Sequence, residues 1–266
     1  MARHSATLQV MVSAARKAGR RLTRDFNEVE NLQVSRKGPA DFVSAADIKA
    51  EEILREELEH ARPGYCFIME ESGETEGPDK THRWIVDPLD GTTNFLHGIP
   101  HFAISIALER EDLLVAGVIY NPITEELYWA ERGKGAFLND RRLRVSSRNN
   151  LADCIIGTGI PFSGRPGHAT FQNELKTIMP AVAGIRRFGS AALDLAYVAA
   201  GRYDGFWERG LNRWDIAAGI LLVREAGGTV LDTEGQPKTL ETGNIVATNG
   251  TLQKPLTDLL MSAAKT

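Results

Sequence analysis

Apolar positions recur along the chain in two periods, and the switches between them mark out its elements. Leu8, Met11, Val12, Ala15, Gly19 and Leu22 fall at helical spacing, which predicts one amphipathic helix over 5–30. Arg36-Lys37-Gly38-Pro39 reads as a turn. Ser44 then opens a second helix, with Asp47 at capping-box spacing and Ile48, Ile53, Leu54 and Leu58 as its stripe, and Pro63-Gly64 ends it. Tyr65 to Met69 reads as a short buried strand before an acidic, glycine-rich loop over 70–79, and Trp84-Ile85-Val86 as another strand. Over 101–109 the period falls to two, with Phe102, Ile104, Ile106 and Leu108 on one face. Segments 113–121 and 125–130 continue in strand style to a turn at 133–135, the pattern of an antiparallel meander.

The texture changes near residue 151. Strand-like Cys154-Ile155-Ile156 leads into helices at about 168–180, 190–201, 214–226 and 252–264, with strands near 204–207, 229–232 and 244–248. An α+β lobe over about 1–150 and an α/β lobe over about 151–266, with no flexible linker between them, predict a single domain of two packed lobes.

Composition then narrows the function. The chain has 266 residues, 42% hydrophobic and 25% charged, enough for a substantial core. A formal charge of −4 speaks against direct nucleic-acid binding or an acidic membrane partner. An anion site must therefore overcome that charge locally, with cations or backbone dipoles. No apolar run approaches the ~20 residues of a membrane span. Residues 1–24 carry Arg3, Arg16, Lys17, Arg20, Arg21 and Arg24 and no acid, as in a transit peptide, but their helical spacing fits a folded first helix better. Cys66 and Cys154 have apolar neighbours and form no CxxC pair, which excludes a zinc cluster and points to reduced thiols in a cytoplasmic protein. Arg141, Arg142, Arg144 and Arg148 read as a solvated hairpin rim, His97 and His101 as loop residues, Asp194 as a non-ligating polar residue, and Arg186-Arg187 as bordering a site or an interface.

Three acidic clusters carry candidate chemistry: Glu70-Glu71, Asp87-Pro88-Leu89-Asp90-Gly91-Thr92-Thr93, and Trp214-Asp215. In the second, an apolar strand ends at Asp87, and Pro88 cannot extend the ladder, so the chain must turn and let Asp87 and Asp90 converge. Two adjacent carboxylates repel unless a cation lies between them. Hard oxygen donors without His or Cys suit Mg²⁺ or Mn²⁺ rather than Zn²⁺. An Asp-x-x-Asp pair alone is more often a turn with a helix cap. Gly91-Thr92-Thr93 adds a close backbone approach, a helix start whose N–H groups bind phosphate, and a hydroxyl to orient water. Together these are the parts of a metal-assisted phosphate hydrolysis.

The stretch from Trp84 through Asp87, Asp90, Gly91, Thr92 and Thr93 to Phe95 resembles the first signature of the inositol monophosphatase family, and Trp214 to Gly219 resembles its second. Glu70-Glu71 lies at the family's distance before the first, Asp41 and Asp47 also fit, and the likeness covers nearly the whole chain. Arg186 to Tyr197 is similar to the bacterial inositol-1-monophosphatase and extragenic suppressor type. Met69 departs from the family, standing where many relatives have Gly.

The resemblance implies a layered αβαβα sandwich, a homodimer, and two or three Mg²⁺ ions, with Mn²⁺ as a substitute and lithium as an inhibitor. Carried over by position, Glu70, Asp87 and the Leu89 carbonyl would hold one metal, and Asp87, Asp90 and Asp215 another. Thr92 would orient the attacking water along with Glu70, and Asp47 joins them as a catalytic residue. Backbone N–H groups of Gly91 and Thr92 would hold the phosphate, and Asp90, Gly189, Ala191 and Glu208 the polyol hydroxyls. No Ser, Cys or His stands in the acidic clusters as a nucleophile, so the expected reaction is in-line attack by metal-activated water on a small polyol phosphate. Related folds act on fructose bisphosphate, phosphoadenosine phosphate or histidinol phosphate. Some bacterial relatives also serve the transcription machinery in antitermination, which is the competing, non-enzymatic expectation.

Overall fold

Two long helices lie first in the chain. The computed structural model describes residues 4–28, 34–38 and 41–264. Helix α1 (Ala6–Phe26) starts where the Ser5 hydroxyl accepts the Leu8 N–H, and Leu8, Met11, Val12, Ala15, Gly19 and Leu22 form its buried stripe. It ends at Phe26, short of the expected residue 30, and 29–30 lie outside the described residues. In place of the expected turn, β1 (Val34–Gly38) and β2 (Asp41–Ser44) pair as an antiparallel hairpin, of which Pro39 lies outside the described residues. Asp41 opens β2. Helix α2 (Ala45–Ala61) carries the capping box of Ser44 and Asp47. Leu54 and Leu58 are buried, but Ile48 is 48% exposed and does not belong to the stripe. Ala46 and Ala50 line the buried face instead, where small side chains let α2 lie close to its neighbours.

Strand β3 (Tyr65–Met69) follows. Met69 there has ordinary extended backbone, so the departure from glycine carries no strain. The expected loop over 70–79 contains β4 (Gly73–Thr75), which folds back on β3. Strand β5 (Asp79–Asp90) is much longer than its apolar core Trp84–Val86, and the short α3 (Thr92–Leu96) follows it. The meander then runs as predicted through β6 (Ala103–Arg110), β7 (Leu113–Asn121), β8 (Glu126–Glu131), β9 (Gly135–Leu138) and β10 (Arg141–Arg142). These strands make an eight-stranded sheet in the order β10-β9-β8-β7-β6-β5-β3-β4.

The second part supplies β11 (Ile155–Thr158), α4 (His168–Ile178), β12 (Gly184–Arg186), α5 (Ala191–Ala199), β13 (Gly205–Glu208), α6 (Arg213–Glu225), β14 (Thr229–Leu231), α7 (Thr239–Thr242), β15 (Ile245–Thr248) and α8 (Gln253–Ala263). Its five strands form a mixed sheet in the order β12-β11-β13-β15-β14.

Three apolar clusters define the layers. One joins α1 and α2 to a single face of the large sheet, through Leu8, Leu54, Trp84 and Ile106. Another places α5 and α6 between the two sheets, with Ile85 and Ala107 on one side and Phe206 and Ala247 on the other. A third joins Ile156, Trp207 and Val246 to α4 and α8. The result is the predicted αβαβα sandwich. Its middle helices are apolar all round, as helices covered on both sides must be. Full burial of each large aliphatic side chain in these layers stabilises by about 1.5–3 kcal/mol.

Candidate active site

Four of the predicted residues meet where β3 and β5 run out. These strands are parallel, and Met69 pairs with Val86, so Glu70 and Asp87 leave the sheet side by side. Asp87 and Asp90 are three apart and would face opposite ways in a regular strand. They do not, because β5 does not turn at Pro88 as expected: it bulges. Asp87 pairs with Ser105 but Asp90 with Ala103, so three steps on β5 oppose two on β6 and both carboxylates emerge on one face. Proline, with no N–H to contribute to the ladder, suits the bulge.

Helix starts surround this point. Gly91 caps α3 with φ of +98°, and a Cβ there would lie 3.1 Å from the His101 carbonyl oxygen and 3.3 Å from that of Gly189. Asp47 and Asp215 are each the third residue of their helix, in the capping boxes that begin α2 and α6. Asp90 reaches across to the start of α5, where its Oδ2 accepts the Ala192 N–H at 2.7 Å and the Ser190 hydroxyl at 2.5 Å. Helix N-termini favour negative charge, so four of them in one place suit carboxylates and an incoming phosphate alike.

The carboxylates repel one another strongly. Burial raises Asp87 and Asp215 well above the usual range, reinforced by the charge of Glu70 and Asp90, and for Asp87 by a hydrogen bond with Glu70. Burial pushes Asp90 up to about 6, although the Ser190 and Ala192 bonds oppose it. Glu208 is pushed up to about 7 by burial and by Asp90, with Arg187 and Arg165 pulling the other way.

Among the described residues no three acids or histidines close around one point as they stand. The donor set nevertheless fits a hard divalent cation. It is all oxygen, with Asp87 buried and Glu70, Asp90 and Asp215 partly so, and the repulsion that raises Asp87 is what a cation's charge would relieve. The Leu89 carbonyl, at the bulge, accepts from the Thr92 hydroxyl at 3.1 Å.

A cavity of about 770 Å³ opens over these groups, lined by Glu70, Asp90, Gly91, Thr92, Gly189, Ala191, Glu208 and Asp215. Asp47 lies outside it and reaches in through Thr92, whose hydroxyl is 3.0 Å from Asp47 Oδ1. Burial raises Asp47, against hydrogen bonds from Ser44 and Thr92 that lower it. His97 is exposed, as expected, whereas His101 is partly buried against Phe188 and Tyr197 and burial lowers its pKa. Trp207 lines the cavity, Trp84 and Trp129 are buried, and Trp214 packs against the middle layer.

Sequence reasoning missed several members. Asn94 donates to the carbonyls of His101 and Phe188, both at 2.7 Å, and so holds the 188–191 segment against α3. Ser190 lines the cavity too, and so does Arg187, in line with the expectation that Arg186-Arg187 border a site or an interface. Gly159 does as well, and a Cβ on it would fall 1.9 Å from the Glu208 carboxyl, so that acid occupies space only glycine leaves. Asp194 is buried beside Glu208, and burial together with the Glu208 charge raises it well above the usual carboxylate range. Asn94 and Ser190 stand within the quoted signatures; Gly159 carries no local signal.

Comparison with known proteins gives a consistent result. A family model described as the inositol monophosphatase family matches residues 4–266. The chain is 65% identical over 252 residues to inositol-1-monophosphatase of Mesorhizobium japonicum, covering 95% of each. It is 46% identical over 249 residues to Nus factor SuhB of Escherichia coli K12, covering 94% of this chain and 93% of that one. The crystal structure of extragenic suppressor protein suhB from Bartonella henselae superposes with a TM-score of 0.94 at 62% identity, covering 96% of this chain and 98% of the other.

Proposed function

The chain belongs to the inositol monophosphatase family, a family of phosphatases, and on that footing we propose that it hydrolyses myo-inositol monophosphate, or a similar polyol phosphate, to free polyol and phosphate with Mg²⁺. The observation that carries this reading is the meeting of Glu70, Asp87, Asp90 and Asp215 beside the Gly91–Thr92 helix start, where burial and mutual repulsion raise Asp87 and Asp215 well above the usual carboxylate range.

Glu70, Asp87, Asp90, Asp215 and the Leu89 carbonyl would hold the ions, two or three of Mg²⁺ or Mn²⁺. Bound there, Mg²⁺ supplies the charge that offsets the phosphate and the departing alkoxide, and it acidifies water. The protein's own groups do the rest. Thr92 Oγ1 lies within hydrogen-bond distance of both Asp47 Oδ1 and the Leu89 carbonyl. With that carbonyl engaged as a ligand, the hydroxyl would donate to Asp47 and its oxygen would accept from a water, held for in-line attack with Glu70 at its other side. The Gly91 and Thr92 N–H groups hold the phosphate oxygens. Glu208 and Asp90 accept polyol hydroxyls beside Gly189 and Ala191, and a carboxylate there favours a neutral polyol over a second phosphate. The test is phosphate release from inositol 1-phosphate with Mg²⁺ titrated and lithium then added. Release that requires Mg²⁺ and falls with lithium is expected; no release from this or a panel of small phosphates overturns the reading.

The likeness to a protein named Nus factor SuhB favours a second, additional reading, contact with the transcription machinery. Pull-down of transcription proteins at gentle salt tests it, and an empty pull-down removes it. We further propose a homodimer, which light scattering reads directly.

A further inference from the structure

The face of β6 turned toward the middle layer is Ala103, Ser105, Ala107 and Glu109, all 3% exposed or less. Alternation makes this the polar face of a strand whose other face is Ile104, Ile106 and Leu108, yet it is covered by α6. Its two polar side chains reach the same place. The Ser105 hydroxyl donates to the Trp214 carbonyl at 3.2 Å. Glu109 Oε1 accepts from Arg213 at 2.5 Å, while its Oε2 accepts from Arg83 at 3.1 Å. Arg213 and Trp214 are the two residues before Asp215 in the first turn of α6. On the other side of β6, the ladder partner of Ser105 is Asp87 and that of Glu109 is Arg83.

One strand therefore touches both halves of the acidic site. Stabilisation alone accounts poorly for this arrangement, because a buried ion pair is often no better than apolar residues of similar volume. What apolar packing does not supply is register. The buried run of α6, Ile216 to Val223, begins only after Asp215, so apolar packing bears mainly on the body of the helix and less on the first turn that carries Asp215. A slip of one residue along a helix is about 1.5 Å, whereas ligand distances to a metal hold within about 0.2 Å.

We infer that Ser105 and Glu109 are positioning residues for Asp215: they fix the first turn of α6 against β5 and so set the spacing of Asp215 from Asp87. This rests on the metal-dependent reading given above. Neither side chain lines the cavity, and both are engaged with the first turn of α6 instead.

The experiment measures Mn²⁺ binding to the whole protein, from the loss of the free-ion EPR signal, with Mg²⁺ activation and substrate kinetics alongside. Glu109→Gln keeps the side-chain volume, Ser105→Ala is the milder change, and Glu109→Asp replaces Gln if that variant does not fold. Arg202→Ala, which breaks the ion pair with Glu126 away from the site, serves as a control for stability loss alone. Glu109→Gln is expected to weaken Mn²⁺ binding about tenfold, the lower end for outer residues that hold metal ligands. Ser105→Ala is expected to weaken it several-fold. The Mg²⁺ needed for half-maximal rate should rise in step, with substrate KM at saturating Mg²⁺ within about twofold of wild type, and Arg202→Ala should lower Tm with Mn²⁺ affinity unchanged. Wild-type Mn²⁺ affinity in both β6 variants overturns the positioning role and leaves the cluster structural. A wild-type protein that binds no Mn²⁺ overturns the metal reading and this inference with it, so the two failures are distinct.

Discussion

Thr92 and Asp47, forty-five residues apart in sequence, are joined by a hydrogen bond of 3.0 Å between Thr92 Oγ1 and Asp47 Oδ1. The bond ties the start of α3 to the first turn of α2, and it shares the single hydroxyl proton with the Leu89 carbonyl at 3.1 Å, which would release it to Asp47 on holding a cation. Thr92→Val should therefore lower kcat by roughly 10²–10³, within the usual span for proton-handling groups, with little change in KM. Thr92→Ser should keep most of the rate. Asp47→Asn should resemble Thr92→Val, since an amide accepts the bond without being able to take the proton. Steady-state phosphate release at saturating Mg²⁺ decides, and an Asp47→Asn enzyme at full rate would remove Asp47 from the mechanism.

The stacked carboxyls make stability depend on pH and metal together. In the folded protein Asp87, Asp90, Glu208 and Asp215 keep their protons to higher pH than in the unfolded chain, where carboxyls titrate near 4. Their contribution in the metal-free protein is full below about pH 4 and drains as pH rises through the folded values, about 6 for Asp90 and about 7 for Glu208. With EDTA, Tm should fall between about pH 5 and 8 more steeply than in Asp87→Asn. Mg²⁺ should raise Tm by an amount that grows with pH, because ligands bind deprotonated; at a hundred times Kd the gain is about 2.7 kcal/mol. Calorimetry showing a metal gain independent of pH would contradict this.

Gly159→Ala tests the placement of Glu208. The added methyl needs the space of the Glu208 carboxyl, 1.9 Å away, so the acid must swing aside. KM for the polyol phosphate should rise at least tenfold while Mn²⁺ affinity stays within about twofold. Equal losses in both would place Glu208 among the metal-holding groups.

Asn94→Leu keeps the branched shape of a buried side chain, at a larger volume, but deprives the His101 and Phe188 carbonyls of their donor. An unsatisfied buried polar group costs about 1–3 kcal/mol. Denaturant unfolding should show a loss in that range, and substrate KM should rise as the 188–191 segment loosens. A stable variant with normal KM would mean that water replaces the amide.

Much of this molecule is legible in its sequence, for identifiable reasons. Residues 101–130 announce a meander because alternation is a local property, and Ser44 with Asp47 announces a helix start because both halves of a capping box lie within one turn. The acids are legible through the two long signatures that hold them, since an Asp-x-x-Asp pair alone reads more often as a turn with a helix cap. The bulge at Pro88–Leu89 was not, since proline signals a turn as readily, and only pairing with Ser105 and Ala103 distinguishes the two. Strand β4, three residues long, is too short for any period to show. Gly159 is invisible for a deeper reason: its constraint is the carboxyl of Glu208, forty-nine positions later, and no local pattern records it.

The bond from Ser190 to Asp90 crosses one hundred residues of chain. Synthesis adds about 5–20 residues per second, so the end of β5 waits roughly 5–20 s on the ribosome before its partner exists. During that interval the large sheet can form from local hairpins, but its carboxylates have neither the α5 helix start nor Asp215. Long-range closures of this kind come late and slowly in folding. Hydrolytic competence is thus a property of the completed molecule, and a nascent chain stalled before α5 holds an acidic sheet edge without an enzyme.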